Sequence, residues 1–179
     1  MKRDLSQFEN SDFERGASRL KEALWWLVRS GLFLPSLPLP SVLRVRALRL
    51  FGAQMGEGVV IRSGVNITFP WRFECGDHVW IGERVQILSL AKVKLGSNVC
   101  VSQEAYLCTG SHEHREASFG LITKEICLQD GSWVGARALI GPGVTLGENT
   151  VAAAGAVVFR SVDAGLIAKG NPAQTVAVS

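Results

Sequence analysis

The chain has 179 residues, 47% of them apolar and 20% charged, and carries a net charge of +3. This length allows one domain with a continuous core, and the composition excludes a disordered chain. The charge is too small for the dense basic surface that binds nucleic acid, so no nucleic-acid partner is expected.

No stretch approaches the roughly 20 apolar residues of a transmembrane helix. Four carboxylates between Asp4 and Glu14 exclude the basic start of a signal peptide. The four cysteines form no C-x-x-C pair and lie in apolar runs, at Cys75, Cys100, Cys108 and Cys127. Buried, reduced thiols are therefore favoured over disulfides or a zinc site. A cytoplasmic protein is expected.

Residues 1–52 are predicted to form a helical segment. Apolar residues at helical spacing predict an amphipathic helix from about Ser18 to Leu32, and a second helix follows from Ser41 to Leu50. The favoured role is a cap over the structure that follows, because open strand edges need cover. The alternative is peripheral contact with the inner membrane through residues 20–50, where tryptophans and leucines stand beside arginines.

From residue 55 an apolar or small residue recurs every six positions in groups of three, each group beginning 20 residues after the last, and the six-residue spacing resumes without insertions from residue 128. Its members are Met55, Ile61, Ile67, Cys75, Ile81, Ile87, Leu95, Val101, Leu107, Leu128, Val134, Ile140, Leu146, Ala152 and Val158. Four places after each stands a small or β-branched residue, the exception being Trp71. An amphipathic helix repeats every 3.6 residues and does not give this pattern. Each hexad is therefore a short strand and a corner, and three hexads make one triangular coil of a parallel β-helix.

The β-helix is predicted over residues 53–168, with a C-terminal tail at 169–179. The repeat stops over residues 113–125, which are predicted to leave the coil as a loop. Loops on a rigid scaffold commonly carry the chemistry, and this one begins directly after His112.

Two segments sharpen the pattern: Leu107-Cys108-Thr109-Gly110-Ser111-His112 and the closing Lys169-Gly170-Asn171-Pro172-Ala173. With Trp25-Trp26 and Leu50-Phe51-Gly52-Ala53, they resemble the hexapeptide-repeat acyltransferases, most closely those of colanic-acid (exopolysaccharide) biosynthesis. The maltose and galactoside O-acetyltransferases are similar but more distant. The resemblance implies an all-β, left-handed parallel β-helix with an N-terminal α-helical cap and a loop excursion.

The resemblance also implies an activity. It is acetyl-CoA-dependent O-acetylation of a sugar hydroxyl, with a small-molecule or lipid-linked sugar as acceptor and direct transfer between the two substrates. Members of the family form homotrimers whose active sites lie between neighbouring β-helices.

His112 is the expected general base, because imidazole can take and release a proton near neutral pH. In the family the base is the histidine of a Thr-Gly-His-like segment, which this chain matches with one extra residue. Glu113, Glu116 or a backbone carbonyl could orient the ring. Gln86, Ser111, Glu113 and His114 are the expected acceptor contacts, although a plain surface role is favoured for His114.

Coenzyme A is expected along the later coils, where small residues let its pantetheine arm approach the backbone. The proposed contacts are Gly135, Ala136, Ala153, Ala154, Phe159, Arg160 and Lys169. This chain departs from the galactoside relatives in three places. Ala136 replaces a serine, Phe159-Arg160 replaces a Thr-Lys pair, and Gln174 stands where a basic residue is frequent. Lys169 could supply the missing cation.

Three alternatives stay open. A nucleophilic Cys108 would give an acyl-enzyme. A non-catalytic scaffold could organise polysaccharide assembly. The γ-carbonic anhydrases share the β-helix and bind zinc through three histidines, but His78, His112 and His114 are poorly spaced for one ion, and no metal is expected.

Trp80 and Trp133 could cover a subunit interface, stack on adenine or, as favoured, fill space between coils and loop.

Overall fold

The computed structural model describes residues 5–36 and 38–177. A 3₁₀ turn at Leu5–Gln7 precedes helix α1, Arg19–Val28, which continues as one π-helical turn at Arg29–Phe33. Ser18 caps α1 by accepting a hydrogen bond from the Lys21 amide. Helix α2 spans Ser41–Leu50, as the sequence predicts. No helix within the described ranges has the length and apolarity to cross a bilayer.

Five complete coils follow, each built of three short strands. The first coil contains Gln54–Met55 (β1), Val60–Ile61 (β2) and Asn66–Ile67 (β3), the second Phe73–Cys75 (β4), Trp80–Ile81 (β5) and Gln86–Leu88 (β6), and the third Val93–Leu95 (β7), Cys100–Val101 (β8) and Tyr106–Cys108 (β9). An excursion follows, with strands Gly110–His112 (β10) and Leu121–Thr123 (β11). The fourth coil contains Ile126–Leu128 (β12), Trp133–Val134 (β13) and Leu139–Ile140 (β14), and the fifth Thr145–Leu146 (β15), Val151–Ala152 (β16) and Val157–Val158 (β17). A 3₁₀ turn, Pro70–Arg72, joins the first two coils.

The strands stack into three sheets that form the faces of a triangular prism. Sheet A is β1-β4-β7-β12-β15 and sheet C is β3-β6-β9-β14-β17; sheet B contains β2-β5-β8-β13-β16 and is extended by β18, Leu166–Lys169, and β19, Gln174–Ala177. All pairings between coils are parallel.

The predicted six-residue register is confirmed by burial. Every inward position from Ile61 to Val158 is buried, and only Met55, in the first coil, is half-buried. Trp71, too large for a corner partner, lies half-buried outside the core, and Phe73 points inward instead. The repeat was predicted to reach Ser111, but Ser111 is exposed because the chain has left the coil two residues earlier.

Two segments are more regular than the sequence predicts. The excursion expected as a loop at 113–125 begins at residue 109 and contains an antiparallel hairpin, in which His112 pairs with Leu121. The tail expected at 169–179 starts within β18 and returns as β19, which pairs antiparallel with β18. Neither hairpin follows the hexad period, so the repeat pattern could not reveal them.

The N-terminal helices cap the open edge of the first coil. Trp25 donates its indole N–H to the Ile67 carbonyl at 3.0 Å, and the Ser41 hydroxyl accepts from the Ile61 amide at 2.7 Å. The Arg49 guanidinium donates to the carbonyls of Met55 and Gly56. These bonds satisfy backbone N–H and C=O groups of the first coil on the side where no other coil lies. The helices therefore act as the cap that the sequence predicts.

The four cysteines are free thiols. Cys75 is buried, and burial raises its thiol pKa to about 11, so it stays protonated at neutral pH. The expected burial is wrong for the other three, which are half-buried because their strand positions face outward from the prism.

Candidate active site

The His112 hairpin is anchored by Thr109, a fully buried residue at the last turn of the third coil. The Thr109 hydroxyl donates to the Leu88 carbonyl at 2.5 Å and accepts from the Ala91 amide at 3.0 Å. Its backbone carbonyl accepts from the Lys124 amide at 2.9 Å, where the excursion returns. The Thr109 side chain therefore ties the start of the hairpin to the coil below, and its backbone carbonyl holds the returning end.

His112 is half-buried in β10, with its imidazole fixed from two sides. Nδ1 lies 2.9 Å from the Phe119 carbonyl oxygen, and the ring stacks on the Phe119 ring with centroids 4.3 Å apart. The Phe8 ring meets it edge-on at 5.7 Å. A carbonyl only accepts, so Nδ1 carries the proton and Nε2 of the neutral ring keeps its lone pair. His112 is thus held in the tautomer of a base.

Of the three groups expected to orient His112, the backbone carbonyl is the one in place. The Glu113 carboxylate accepts from the Arg115 amide, and the Glu116 carboxylate accepts from the Ser118 hydroxyl. Phe119, which supplies the carbonyl, has a left-handed φ of 51°. Such a conformation is strained for a bulky residue, and strain of this kind is concentrated at functional sites.

Two clefts border the hairpin, and the N-terminal segment forms their shared wall. One, of about 620 Å³, lies between residues 9–13 and the hairpin residues Ser118, Gly120, Leu121 and Thr123. The other, of about 590 Å³, is more aromatic and includes Phe8, Phe13, Phe69 and Trp71. His112 lines neither cleft itself but contacts Phe8 and pairs with Leu121, which border them.

The N-terminal wall is held by side chains of the 3₁₀ turn between the first two coils. The Trp71 indole N–H donates to the Arg15 carbonyl at 2.8 Å, and the Arg72 guanidinium donates to the Glu14 carbonyl. The Arg72 guanidinium also lies 5.2 Å from the centre of the Phe13 ring. Phe8, Phe13 and Phe119 were not predicted from the sequence, because the N-terminal segment and the excursion contain no repeat. Phenylalanines within otherwise polar runs were the one feature that could have pointed to them.

The expected acceptor contacts are dispersed. Ser111 neighbours His112 in β10, so its side chain points to the opposite face of the hairpin. Gln86 lies on sheet C, where its amide accepts from Asn66 and donates to the Arg84 carbonyl. Glu113 is half-buried beside His112 in sequence, and His114 is exposed.

Five of the seven expected coenzyme A contacts form one row along the prism edge between sheets B and C. Successive coils place there, one above the other, Gly135 and Ala136, then Ala153 and Ala154, then Lys169. The Gly155 amide donates to the Ala136 carbonyl and the Ala153 amide to the Ala168 carbonyl, so the row is closely stacked. A Cβ at Gly135 would lie 2.6 Å from the Ala154 nitrogen, which shows that this glycine is required for stacking.

His112 and the other two expected contacts lie on a different edge, between sheets C and A. The excursion leaves at this edge, and Phe159 and Arg160 follow β17 at the same edge two coils later. Both are exposed, and the Phe159 ring covers Gly141. Within one chain, the whole of sheet C therefore separates His112 from the row of small residues.

Trp80 and Trp133 are exposed on sheet B, and the Trp133 indole N–H donates to the Ser102 hydroxyl at 2.8 Å. The prediction that these two tryptophans pack between the coils and the loop is wrong, because they lie on sheet B and the excursion leaves the prism at the edge between sheets C and A. The S–H of the half-buried Cys108 is donated to the Gly110 carbonyl. Over residues 5–36 and 38–177, no three His, Cys, Asp or Glu side chains come together as metal ligands.

Thr109 offers a test of how the hairpin is held. Thr109→Val keeps the shape but leaves the Ala91 amide without a partner and the Leu88 carbonyl with one fewer donor. We expect unfolding to become easier by about 1–3 kcal/mol, and transferase activity to fall as the hairpin loosens. Thermal denaturation and initial rates measure both effects. Thr109→Ser, which keeps the hydroxyl, is the matched control; equal loss in both variants would contradict the anchoring role.

No family model matches the chain. Over 176 residues it is 39% identical to the colanic acid biosynthesis acetyltransferase WcaF of Escherichia coli K12, covering 97% of this chain and 95% of that protein. It is 25% identical over 127 residues to the galactoside O-acetyltransferase of the same strain, covering 69% and 63%. A solved hexapeptide-repeat acetyltransferase of Vibrio cholerae, complexed with acetyl-coenzyme A, superposes with a TM-score of 0.81 at 23% identity, covering 94% and 92%.

A galactoside acetyltransferase solved with coenzyme A gives a TM-score of 0.79 at 22% identity, over 92% of this chain and 84% of that one. These superpositions confirm the fold as the left-handed parallel β-helix expected from the sequence. With 39% identity to an acetyltransferase over nearly its whole length, the chain belongs to the hexapeptide-repeat acetyltransferase family, and the expected resemblance is confirmed. It is an acyltransferase.

Proposed function

We propose that this enzyme transfers an acetyl group from acetyl-coenzyme A directly to a sugar hydroxyl, in the biosynthesis of an exopolysaccharide, with His112 as general base. The observation that carries the proposal is the His112 ring itself. Its Nδ1 is committed to the Phe119 carbonyl, which leaves Nε2 free to accept a proton beside two clefts.

In the reaction, Nε2 of His112 accepts the proton of the acceptor hydroxyl as its oxygen attacks the acyl carbon. The same nitrogen returns that proton to the sulfur when the carbon–sulfur bond breaks, so an ester and a thiol result. The Phe119 carbonyl stabilises the imidazolium between these events, because it keeps accepting from Nδ1. Direct transfer is favoured over an acyl-enzyme, since the Cys108 S–H is donated to the Gly110 carbonyl.

Acetyl-coenzyme A supplies the acetyl group as a thioester and leaves as the free thiol. The row along the edge between sheets B and C fits its pantetheine arm, because Ala136, Ala153 and Ala154 add no bulk beyond a methyl group. The exposed Lys169, in this row, would hold one of its phosphates, and Arg160, on the edge between sheets C and A, would reach them only from a neighbouring subunit. The Vibrio and galactoside enzymes bind acetyl-coenzyme A or coenzyme A on the same fold.

A homotrimer would complete this site. His112 lies on one edge of sheet C and the row of small residues on the other, so a single chain does not bring them together. If the His112 edge of one subunit meets the small-residue edge of its neighbour, base and thioester come together between chains. The exposed Trp80 and Trp133 on sheet B are free to serve such contacts or to stack on adenine.

The acceptor would occupy the clefts beside the hairpin. Their walls combine aromatic rings, at Phe8, Phe13 and Trp71, with the polar side chains of Asn10 and Asp12. Aromatic faces stack on sugar rings and polar groups bind sugar hydroxyls, so this lining suits a carbohydrate. The galactoside O-acetyltransferase among the relatives acts on a sugar by its name.

The test is acceptor-dependent release of free thiol from acetyl-coenzyme A by the purified protein. A panel of hexoses, deoxyhexoses and lipid-linked oligosaccharides serves as acceptors, and mass spectrometry identifies the ester. We expect thiol release to rise with acceptor concentration and one O-acetyl group to be added per thiol. Coenzyme A binding without any acetylated product would instead favour the non-catalytic scaffold. A cytoplasmic location stays a prediction.

A further inference from the structure

The outward face of α1 is apolar, the reverse of a usual surface helix. Leu20 is 70% exposed, Leu27 60% and Trp26 57%, with Leu24 beside them. The opposite face carries Lys21, Glu22 and the buried Trp25. A helix normally turns its polar side to water. An exposed apolar face of this kind is typical of a site that contacts another protein or a membrane.

Helix α2 also has an apolar outward face, and it adds positive charge. Its outward positions are Val42, Leu43, Arg46 and Leu50, the last 83% exposed. Both helices bind the open edge of the first coil through their inner faces, with Trp25, Ser41 and Arg49 donating or accepting there. Their outward faces consequently point away from the coils, at the end of the prism. We call this surface, built from the outward residues of α1 and α2, the end-cap patch.

The charge of the patch has one sign. The sequence contains no Asp or Glu between Glu22 and Glu57, and the outward faces carry the exposed cations Arg19 on α1 and Arg46 on α2. Glu22 is turned toward Arg15 in an ion pair at 2.8 Å. The patch thus joins exposed leucines and a tryptophan to arginines, without a carboxylate among its outward residues.

This combination decides between two occupants. A second copy of the chain, packed patch to patch, would bring the arginines of both copies together in an apolar interface without carboxylates to pair them, which is unfavourable. An anionic bilayer surface offers the complementary arrangement: acyl chains for the leucines, an interfacial layer for Trp26 and lipid phosphates for Arg19 and Arg46. The bilayer is therefore the occupant that the charges favour.

We propose that the end-cap patch docks the protein on an anionic membrane surface. This surface lies at the end of the prism, on elements that carry neither His112 nor the small-residue row. Arg19 and Trp26 of the patch also border the cleft of about 590 Å³ that reaches Leu121 of the hairpin. The proposal goes beyond the acetyl transfer and does not depend on it, because binding to lipid requires no chemistry at His112.

The test measures sedimentation of the full-length chain with vesicles of phosphatidylcholine containing 30% phosphatidylglycerol. We expect binding that weakens as salt rises and is much weaker on pure phosphatidylcholine. The triple variant Leu20→Ser, Leu24→Ser, Leu27→Ser should lower the partition coefficient by more than about tenfold. Arg46→Gln should lower it about fivefold, the usual contribution of one arginine near an anionic surface.

Matched controls separate this surface from the rest of the molecule. Trp26→Ser should weaken binding, whereas Phe159→Ser, which removes an aromatic side chain of similar exposure (61%) from the fifth coil, should not. His112→Ala should bind vesicles as the unaltered protein does, which distinguishes failure of docking from failure of the proposed chemistry. Unchanged melting temperatures would show that the variants are folded.

Three outcomes would overturn the proposal. One is no sedimentation of the unaltered protein with anionic vesicles. Another is equal loss of binding in Trp26→Ser and Phe159→Ser. The third is self-association through the patch: a mass in light scattering that halves in the triple variant, without vesicle binding, would assign the surface to a second copy.

Discussion

His112→Ala is expected to lower kcat by about 10²–10⁴-fold, the usual contribution of a positioned general base. Without the imidazole, the attacking hydroxyl must lose its proton to water, which is a weaker base and is not oriented. The affinity for coenzyme A should change little, because the residues proposed to bind it form the row between sheets B and C and do not include His112. Initial rates of thiol release and equilibrium binding of coenzyme A measure the two effects separately.

Two controls make the result specific. His78→Asn changes an exposed histidine of the second coil, at a left-handed φ of 56° that asparagine tolerates, and should leave kcat near that of the unaltered enzyme. Free imidazole should restore part of the rate to His112→Ala, because it can enter the space left by the ring. A full rate in His112→Ala would assign the proton transfer to another group.

Arg44→Ala is expected to destabilise the N-terminal end of the molecule by about 3–5 kcal/mol. Arg44 is 2% exposed, and its guanidinium donates to the carbonyls of Leu32 at 3.2 Å and Leu39 at 3.0 Å and reaches that of Ile61. Truncation leaves these buried acceptors with fewer donors and opens a cavity beneath α2. For a protein of this size, thermal denaturation should show a melting temperature lower by roughly 6–20 °C.

Hydrogen exchange should place this loss in the helices and the first coil, because a β-helix is stabilised by contacts between neighbouring coils. Arg46→Ala, on the exposed face of the same helix, should change stability by no more than about 0.5 kcal/mol. The loss of stability in Arg44→Lys should lie between those of Arg44→Ala and Arg46→Ala, because one ammonium group cannot make the hydrogen bonds of the planar guanidinium. Protection lost evenly along all coils would contradict the local role of Arg44.

Some site residues were predictable because they adjoin the repeat. His112 stands where the hexads end, so its place at an edge of the prism followed from counting. Ala136, Ala153, Ala154 and Lys169 fell into one row for the same reason, since residues a whole coil apart are stacked. By contrast, Phe8 lies 104 positions before His112, and no periodicity links them.

The sequence by itself determined the β-helix, its register and the two helices before it. A six-residue period leaves one choice of inward face, and burial of that face is a local property of each hexad. Only the tertiary structure decided what surrounds His112: the Phe119 carbonyl at Nδ1, the Phe8 ring and the hairpin held by Thr109. Those contacts join segments that follow no repeat, so they depend on how the chain closes in space.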